Sequence, residues 1–328
     1  MDTTAPDRFD TIPETALAWH RAGKGAALAT VVQTWGSAPR RVGSQLAISG
    51  DAEIAGSVSG GCVEGAVIVE ALEALEEGAA RELEFGVSDE DAFAVGLACG
   101  GTIRVLVEPV GSALPEDMLA ELVAARAARE PRAYVVDLAT GARRIDRDGH
   151  DDRFRMDRSG FEPDERTFVA IHNPPLRLVV VGAVHIAQAL VPMARIAGYD
   201  PVVIDPRETF ASPARFPGER VVNDWPDDAV AALRLDARTA LVLLTHDPKL
   251  DDPALVRALR SGCFYIGALG STRTHAKRRE RLLAEGFSDA EIDRIHGPVG
   301  LDIGAAGPAE IAVSVLAQMI SVLRKGAA

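Results

Sequence analysis

The sequence predicts a two-domain α/β protein whose C-terminal half is a Rossmann-like, doubly wound parallel sheet, and two observations support that prediction. In the second half of the chain, short apolar runs alternate with helical patterns, beginning with LRLVVVG at 176–182. Such runs are typical of strands buried in a parallel sheet, and the alternation implies right-handed strand–helix–strand crossovers. Pro174 and Pro175 come just before them and interrupt any helix or central strand. We therefore predict a mixed α/β domain over 1–173 and the Rossmann-like domain over 174–328.

In the N-terminal domain, hydrophobic patterning predicts a helix near 12–22 and then a strand at 27–35, which is rich in β-branched residues. From Cys62 onward, apolar residues recur at helical spacing, and Gly78 stands where that helix would end. The other predicted elements are strands at 45–48, 54–58 and 102–109, a helix and a hairpin near 134–145 within the charged stretch 112–165, and a solvated face or mobile loop over 143–158.

In the C-terminal domain the same criteria predict a regular alternation of elements. The strands are expected at 176–182, 201–205, 239–245 and 263–270, and the helices at 183–198, 252–261 and 308–323. The last helix has an apolar face that should close the domain. A homodimer is plausible because such a helix and a small sheet edge often self-associate.

Composition narrows the classes of partner. The formal net charge is −13, which repels phosphate backbones and acidic lipid, so we expect neither nucleic acid nor membrane surfaces as partners. The N-terminus lacks the pattern of a signal peptide, and no apolar run approaches the length of a membrane span. The three cysteines, Cys62, Cys99 and Cys263, are far apart and odd in number. They indicate a reducing, cytoplasmic setting rather than a disulfide framework.

A glycine turn after the first C-terminal strand resembles a dinucleotide-binding fingerprint with one defect. In GAVHIA, Gly182 and Ala187 occupy the first and third positions, but Val184 replaces the second glycine, where a pyrophosphate approaches the backbone. Asp205 lies about twenty residues farther on, where such folds place a ribose-binding acid; it could equally be a strand-end carboxylate. His185 could meet an anion at the helix start or simply pack. NAD(P) is a possible cofactor that Val184 disfavours.

Two further patches follow strands at the edge where open α/β sheets bind ligands. One contains His246, within the sequence THD. The other is GALGSTR, in which Gly270 and Ser271 could present amides to an anion and Arg273 could clamp its charge. The alternative is an ordinary capped helix with a basic outer face formed by Lys277, Arg278, Arg279 and Arg281.

The stretch GSVSGGCVEG places a cysteine at the start of a predicted helix. Unpaired amides and the helix dipole favour a thiolate at Cys62, and Gly60 and Gly61 leave its sulfur approachable. Glu64, two residues later, is either a first-turn complement to the helix dipole or a proton-transfer group.

A second cysteine has a similar setting, because Cys99 precedes Gly100 and Gly101 ahead of a strand. Two such sulfur groups in one domain suit a soft metal, a dithiolene-bearing cofactor or carriage of persulfide sulfur. The alternative is that cysteine behaves as a small buried hydrophobe. That alternative is preferred for Cys263, which begins an apolar strand.

Several motifs in order resemble the XdhC/CoxI family, the accessory proteins of xanthine dehydrogenase and related molybdenum hydroxylases. The resemblance covers most of the chain except roughly 112–165. It is carried by GSVSGGCVEG, LACGGTIRVLVEP, VVVGAVHIAQAL, VVIDPRETFAS, LLTHDPKLDDPAL, YIGALGSTRTHAKRRERL and RIHGPVGLDIGAAGPAEIAVSVLAQ.

The resemblance implies a chaperone rather than a turnover enzyme. Such a protein binds molybdenum cofactor (molybdopterin) transiently, supports its sulfuration and delivers it to the large subunit of a hydroxylase; a cysteine desulfurase is a further possible partner. Cys62 would face the molybdenum or carry persulfide sulfur, with Cys99 a second candidate. Arg40 could add a charge-assisted contact, and the helix N-termini of the Rossmann-like domain could hold the cofactor's phosphate.

The chain departs from the family pattern in two places. Val184 stands where the family has glycine, and Ala305-Ala306-Gly307 replaces an Arg-Thr pair. Both changes disfavour tight nucleotide binding. Two alternatives therefore stand beside the chaperone: an NAD(P)-dependent oxidoreductase that uses the Rossmann-like domain, and a docking module that has lost its ligand.

Overall fold

The computed structural model describes residues 11–36, 40–86 and 101–325. The chain divides into two compact units, residues 1–174 and 175–328. Within the described residues, the first unit holds two antiparallel sheets and the second a six-stranded parallel sheet, each accompanied by helices. The predicted fold class, mixed α/β followed by a Rossmann-like parallel sheet, is confirmed.

The larger sheet of the first unit has the order β3-β2-β1-β5-β4, so β1 lies at its centre. Alternate residues of β1 face two different apolar layers: Leu28 packs with helix α1, and Val31 packs with helix α2. This two-sided burial explains why the run is almost wholly apolar. The elements are α1 Ile12–Arg21, β1 Ala26–Trp35, β2 Gln45–Ser49, β3 Ile54–Gly56, α2 Glu64–Glu77, β4 Arg81–Phe85 and β5 Thr102–Pro109.

Helix α2 ends where the sequence predicts, because the amide of Gly78 donates to the carbonyl of Ala74 at 2.8 Å. Its start is later than the apolar pattern indicated. The first helical residue is Glu64, so Cys62 lies in the loop that leads into the helix.

The smaller sheet has the order β7-β6-β9-β8. Its elements are α3 Glu116–Ala127, β6 Arg132–Asp137, β7 Arg143–Asp146, α4 Asp151–Met156, β8 Gly160–Phe161 and β9 Thr167–His172. The predicted hairpin is confirmed by the antiparallel pairing of β6 with β7.

The charged stretch 143–158 is not a mobile loop, and that part of the expectation is wrong. Arg143 lies on β7, and its Nε donates to Oε1 of Glu108 at 2.8 Å. Glu108 is 1% exposed and also accepts a 2.7 Å hydrogen bond from the hydroxyl of Tyr134. The buried carboxylate of Glu108 thus requires a cation beside it. The number of charged residues in 143–158 does not reveal this requirement, because Glu108 lies outside that stretch. Helix α4 buries no residue and does form a solvated face.

The C-terminal sheet has the order β12-β11-β10-β13-β14-β15, with every neighbouring pair parallel. Successive strands are added on one side of β10 as far as β12 and on its other side from β13 to β15, so the switch point where such folds bind ligands lies between β10 and β13. Helices cover both faces: α5 and α10 pack on one, and α6, α7, α8 and α9 on the other. The strands are β10 Leu176–Val181, β11 Tyr199–Ile204, β12 Arg220–Val222, β13 Thr239–Leu243, β14 Tyr265–Ala268 and β15 Ile295–His296; the helices are α5 His185–Ile196, α6 Pro226–Leu233, α7 Pro248–Leu259, α8 Thr272–Ala284, α9 Asp289–Ile292 and α10 Pro308–Lys325.

Among the helices in the described part of the chain, none combines the length and the hydropathy that crossing a membrane requires.

Candidate functional site

The loop between β3 and α2 is folded around the carboxylate of Glu64. Four consecutive backbone amides, those of residues 58–61, donate to its two oxygens at 2.9–3.2 Å. The hydroxyl of Ser57 donates to Oε1 at 2.7 Å, and the hydroxyl of Ser59 donates to Oε2. Glu64 is 9% exposed, so these six donors replace water around a nearly buried charge.

These hydrogen bonds hold Glu64 in its ionised form. Burial alone would raise the pKa of a carboxyl group, but the donors from Ser59, Ser57 and the loop amides outweigh that effect and lower the pKa of Glu64 to about 2. An ionised carboxylate that already accepts six hydrogen bonds has little capacity left for a ligand or a proton. The geometry therefore favours a structural role for Glu64, that of holding the loop closed, over proton transfer.

Ser59 extends the same network to the cysteine. Its Oγ accepts hydrogen bonds from the amides of Cys62 at 3.0 Å and Val63 at 2.9 Å. These amides precede the first residue of α2, so Ser59 fixes the backbone of the loop at Cys62. The Cys62 side chain is half-buried and packs partly against the apolar layer under α2. The thiol thus sits in a defined position at the loop surface rather than on a free segment.

The glycines beside the thiol are required by the backbone. Gly60 has φ +80° and Gly61 has φ +111°, conformations that side-chain-bearing residues rarely adopt. Among the described residues, no atom lies within 4 Å of a Cβ added at Gly61, the residue next to Cys62 in the chain.

Arg40 lies against the same loop. Its Nε donates to the carbonyl of Ser57 at 3.2 Å, and its side chain is exposed. Cys99 and Gly100, the second cysteine motif, lie outside the described residues. Within the described residues, no group of three or more His, Cys, Asp or Glu side chains is arranged to hold a metal ion. The described part of this site thus offers one soft sulfur ligand, with a cation nearby.

In the C-terminal unit, the glycine turn after β10 is held by hydrogen bonds to the carboxylate of Asp205. The amide of Ala183 donates to Oδ2 of Asp205 at 2.9 Å, and the guanidinium of Arg207 donates to both carboxylate oxygens, from Nε at 2.8 Å and from Nη2 at 2.6 Å. Asp205 is 0% exposed. Burial opposes its ionisation, but the bonds from Arg207 and Ala183 lower its pKa. The arrangement favours a carboxylate that stabilises the turn over one that faces a ribose.

The start of helix α5 offers less to a nucleotide than the fingerprint implies. Val184 takes an extended conformation that valine adopts freely, and its side chain packs against the apolar core. Gly182 has φ +108°, and a Cβ there would lie 2.7 Å from Cγ2 of Thr245. The glycine thus serves close packing between the ends of β10 and β13. His185 is exposed rather than packed, which leaves its ring available to an anion.

The two remaining predicted patches do come together. His246, which follows β13, and Arg273, on the first turn of α8, line one pocket of about 310 Å³. Gly270 and Ser271 lead into α8, where the Ser271 hydroxyl accepts a hydrogen bond from the amide of Thr274 at 3.2 Å. The convergence expected from parallel strand ends is therefore observed for this pair of loops.

The sequence analysis named only His246 and Arg273 as candidate site residues among those that line this pocket. Its alternative interpretation placed Arg278 on a basic outer face, but Arg278 is 2% exposed and lines the pocket. The signal was available, because Arg278 stands four residues before the buried Leu282 and therefore on the same face of α8.

Comparisons with known proteins give a consistent result. A model of the XdhC and CoxI family matches residues 19–86, and a model described as the XdhC Rossmann domain matches residues 178–319. The chain is 34% identical to the molybdenum cofactor insertion chaperone PaoD of Escherichia coli over 96% of this chain and 89% of that protein. It is 25% identical to a probable xanthine dehydrogenase subunit of Bacillus subtilis, over 92% and 94% of the two chains. Among solved structures, a xanthine dehydrogenase from Bacillus halodurans superposes with a TM-score of 0.74 and 28% identity, covering 95% of this chain and 96% of that one.

Proposed function

Because this chain belongs to the XdhC and CoxI family, we propose that it is an accessory protein that binds molybdenum cofactor and delivers it to a molybdenum hydroxylase of the xanthine dehydrogenase type. The relative PaoD is named as an insertion chaperone for this cofactor and matches nearly the whole chain. The cofactor is cargo in this proposal, and the protein does not turn it over. A cysteine desulfurase is the sulfur donor that sulfuration of the cargo would need.

The observation that carries the proposal is the loop closed by Glu64. It holds Cys62 half-buried at a defined position, and no described atom lies within 4 Å of a Cβ position at Gly61. A cysteine sulfur is a soft ligand and suits molybdenum or its terminal sulfur better than an oxygen or nitrogen group would. Arg40 adds a positive charge on the same loop, and molybdopterin is anionic. The six donors around Glu64 fix the position of the thiol, which is what a carrier of a labile cargo requires.

The first test is cofactor retention by the wild-type protein and by Cys62→Ser. Each is mixed anaerobically with molybdopterin-bound molybdenum, passed over gel filtration and analysed for molybdenum by mass spectrometry. We expect the wild type to retain molybdenum and the variant to retain at least about tenfold less, since a lost ligand of about 1.4 kcal/mol corresponds to that factor.

The chain offers a matched control in Cys263→Ser. Cys263 is 5% exposed and its sulfur contacts the carbonyl of Ala258 at 3.6 Å, a partner that a serine hydroxyl can keep. This variant should retain molybdenum like the wild type, and Cys99→Ser tests the second motif separately. Equal retention by Cys62→Ser and Cys263→Ser would contradict the assignment of the site to Cys62. No retention by the wild type would contradict the carrier role itself.

The described residues give no support to the nicotinamide-dependent alternative. Asp205 is buried and bonded to Arg207, and Val184 stands where a pyrophosphate would approach. Cytoplasmic location and a homodimer stay predictions from the sequence.

A further inference from the structure

A pocket of the C-terminal unit lies beyond the ends of β13 and β14, one strand away from the closed glycine turn. It measures about 310 Å³, at the small end of ligand sites. Five of its lining side chains are cationic or can become so, and only one is acidic; the complete lining is His246, Pro248, Asp251, Arg273, Thr274, Lys277, Arg278 and Arg281. In a protein with a net charge of −13, such a concentration of cations is a local exception.

The cationic side chains at the pocket differ in whether they form an ion pair with a carboxylate. Arg281 is paired with Asp252, with Nη2 to Oδ1 at 3.0 Å, and is therefore partly neutralised. Arg273 and Lys277 are exposed and form no ion pair with any described residue. They lie four residues apart, on one face of α8, so their charges add at the pocket.

Arg278 is a buried cation with unused donors. It is 2% exposed, and its Nη2 donates to the carbonyl of Leu269 at 3.0 Å. Its Nε and Nη1 have no hydrogen-bond partner among the residues that the structure describes. A buried donor without a partner destabilises a fold, so such a group calls for an explanation.

The nearby acid does not satisfy Arg278. Asp251 Oδ2 lies 3.8 Å from Nη2 of Arg278, beyond hydrogen-bond distance, and no described residue donates a hydrogen bond to it. The other oxygen, Oδ1, accepts a 2.5 Å hydrogen bond from the hydroxyl of Thr245. The acid thus offsets the charge of Arg278 but leaves the forked donors of the guanidinium unused. A guanidinium matches the oxygens of a phosphate better than a single point charge does.

We propose that this pocket binds the phosphate group of a phosphate ester, with Arg273 and Lys277 at its mouth and Arg278 as the buried donor. The start of α8 lies at the same place, capped by Ser271, and its N-terminal dipole also favours an anion. The inference deepens the proposed function and rests on it, because molybdopterin carries a terminal phosphate. A nucleotide presents the same chemical group, so the test separates the two sources.

The test uses the purified full-length chain and inorganic phosphate or pyrophosphate as probe, titrated by calorimetry in a phosphate-free buffer. We expect saturable binding by the wild type and at least about tenfold weaker binding by the double variant Arg273→Gln/Lys277→Gln. Arg279→Gln is the matched control, since Arg279 lies on the same helix but pairs with Asp289 and Asp293. Equal loss in the control, or no saturable binding by the wild type, would overturn the inference.

A third variant separates ligand binding from folding. Arg278→Lys keeps the buried charge but removes the forked donors, so the affinity for phosphate should fall while the melting temperature stays near that of the wild type. A large fall in melting temperature with unchanged affinity for phosphate would assign Arg278 to stability and would remove it from the site.

The source of the phosphate is then tested with cargo. If the double variant also loses molybdenum while Cys62 is intact, the pocket holds the phosphate of the cofactor. If the wild type binds AMP, and the double variant binds neither phosphate nor AMP but retains molybdenum like the wild type, the link to the cofactor is overturned and the site belongs to a nucleotide. Failure of the proposed function has a different signature, because the wild type would then bind phosphate but no molybdenum.

Discussion

Glu64→Ala is expected to open the cysteine loop and to destabilise the N-terminal unit by about 3–5 kcal/mol, since a buried charge network would lose its central partner. The substitution leaves four loop amides and two serine hydroxyls without their acceptor. Hydrogen exchange should report the change directly, as loss of protection at residues 58–61. Molybdenum retention should fall with it, although Cys62 itself is unchanged. Urea denaturation measures the free energy of unfolding.

Glu76→Ala is the matched control. Glu76 is exposed on the same helix, so its removal should change the free energy of unfolding by less than about 0.5 kcal/mol. Wild-type protection at residues 58–61 in Glu64→Ala would contradict the role assigned to the carboxylate.

The same carboxylate makes stability depend on pH in a defined window. The pKa of Glu64 is lowered from 4.5 to about 2, so its contribution is complete above pH 4.5 and is lost as the pH falls towards 2. This pKa shift corresponds to about 3 kcal/mol in the free energy of unfolding. The difference in unfolding free energy between wild type and Glu64→Ala should therefore shrink by roughly that amount across this window. A difference independent of pH would show that Glu64 is not the titrating group.

Gly182→Ala is expected to destabilise the C-terminal unit by about 3–5 kcal/mol, the sum of backbone strain and overpacking. Gly182 has φ +108°, and the new Cβ would lie 2.7 Å from Cγ2 of Thr245 and 3.2 Å from the amide nitrogen of the same residue. The measurement is urea denaturation, with hydrogen exchange in β10 to identify the unit that opens.

A double-mutant cycle separates the two causes. Thr245→Ser removes the clashing methyl group and keeps the hydroxyl that donates to Asp251. In that background Gly182→Ala should cost about 1–2 kcal/mol less than in the wild type. Gly61→Ala is the second comparison: Gly61 also has a positive φ, but a Cβ there meets no described atom within 4 Å, so we expect backbone strain to dominate. Additive effects in the cycle would show that contact with Thr245 does not contribute to the destabilisation by Gly182→Ala.

The sequence was sufficient to predict the elements whose residues show a clear local pattern. The central strand β1 and the buried strand β10 are long apolar runs, and α2 ends at Gly78 as the pattern indicates. The strands β12 and β15 have only three and two residues, too few to show any period, and their pairing depends on neighbours distant in the chain. The expectation for Arg143 was wrong for a related reason, because its buried partner Glu108 lies on a different sheet.

In the candidate site, too, some residues could be predicted from the sequence and the roles of others could not. Residue type and spacing identified Cys62 and the glycines around it, and the order of parallel strands brought His246 and Arg273 to one pocket. The role of Glu64 could not be read from spacing, because it depends on four amides that turn towards one carboxylate. Asp205 was ambiguous in the sequence for a similar reason: a strand-end acid can face a ligand or the turn beside it, and burial decides between them.

The loop that Glu64 closes has a kinetic consequence. Every hydrogen bond that shapes it around the carboxylate comes from residues 57–64, so the loop is already ordered before any cargo arrives. If the proposed function holds, binding of the cofactor requires little further loss of conformational entropy in this loop. We then expect the exchange rate of the cofactor to depend on its bond to the thiol more than on motion of the loop.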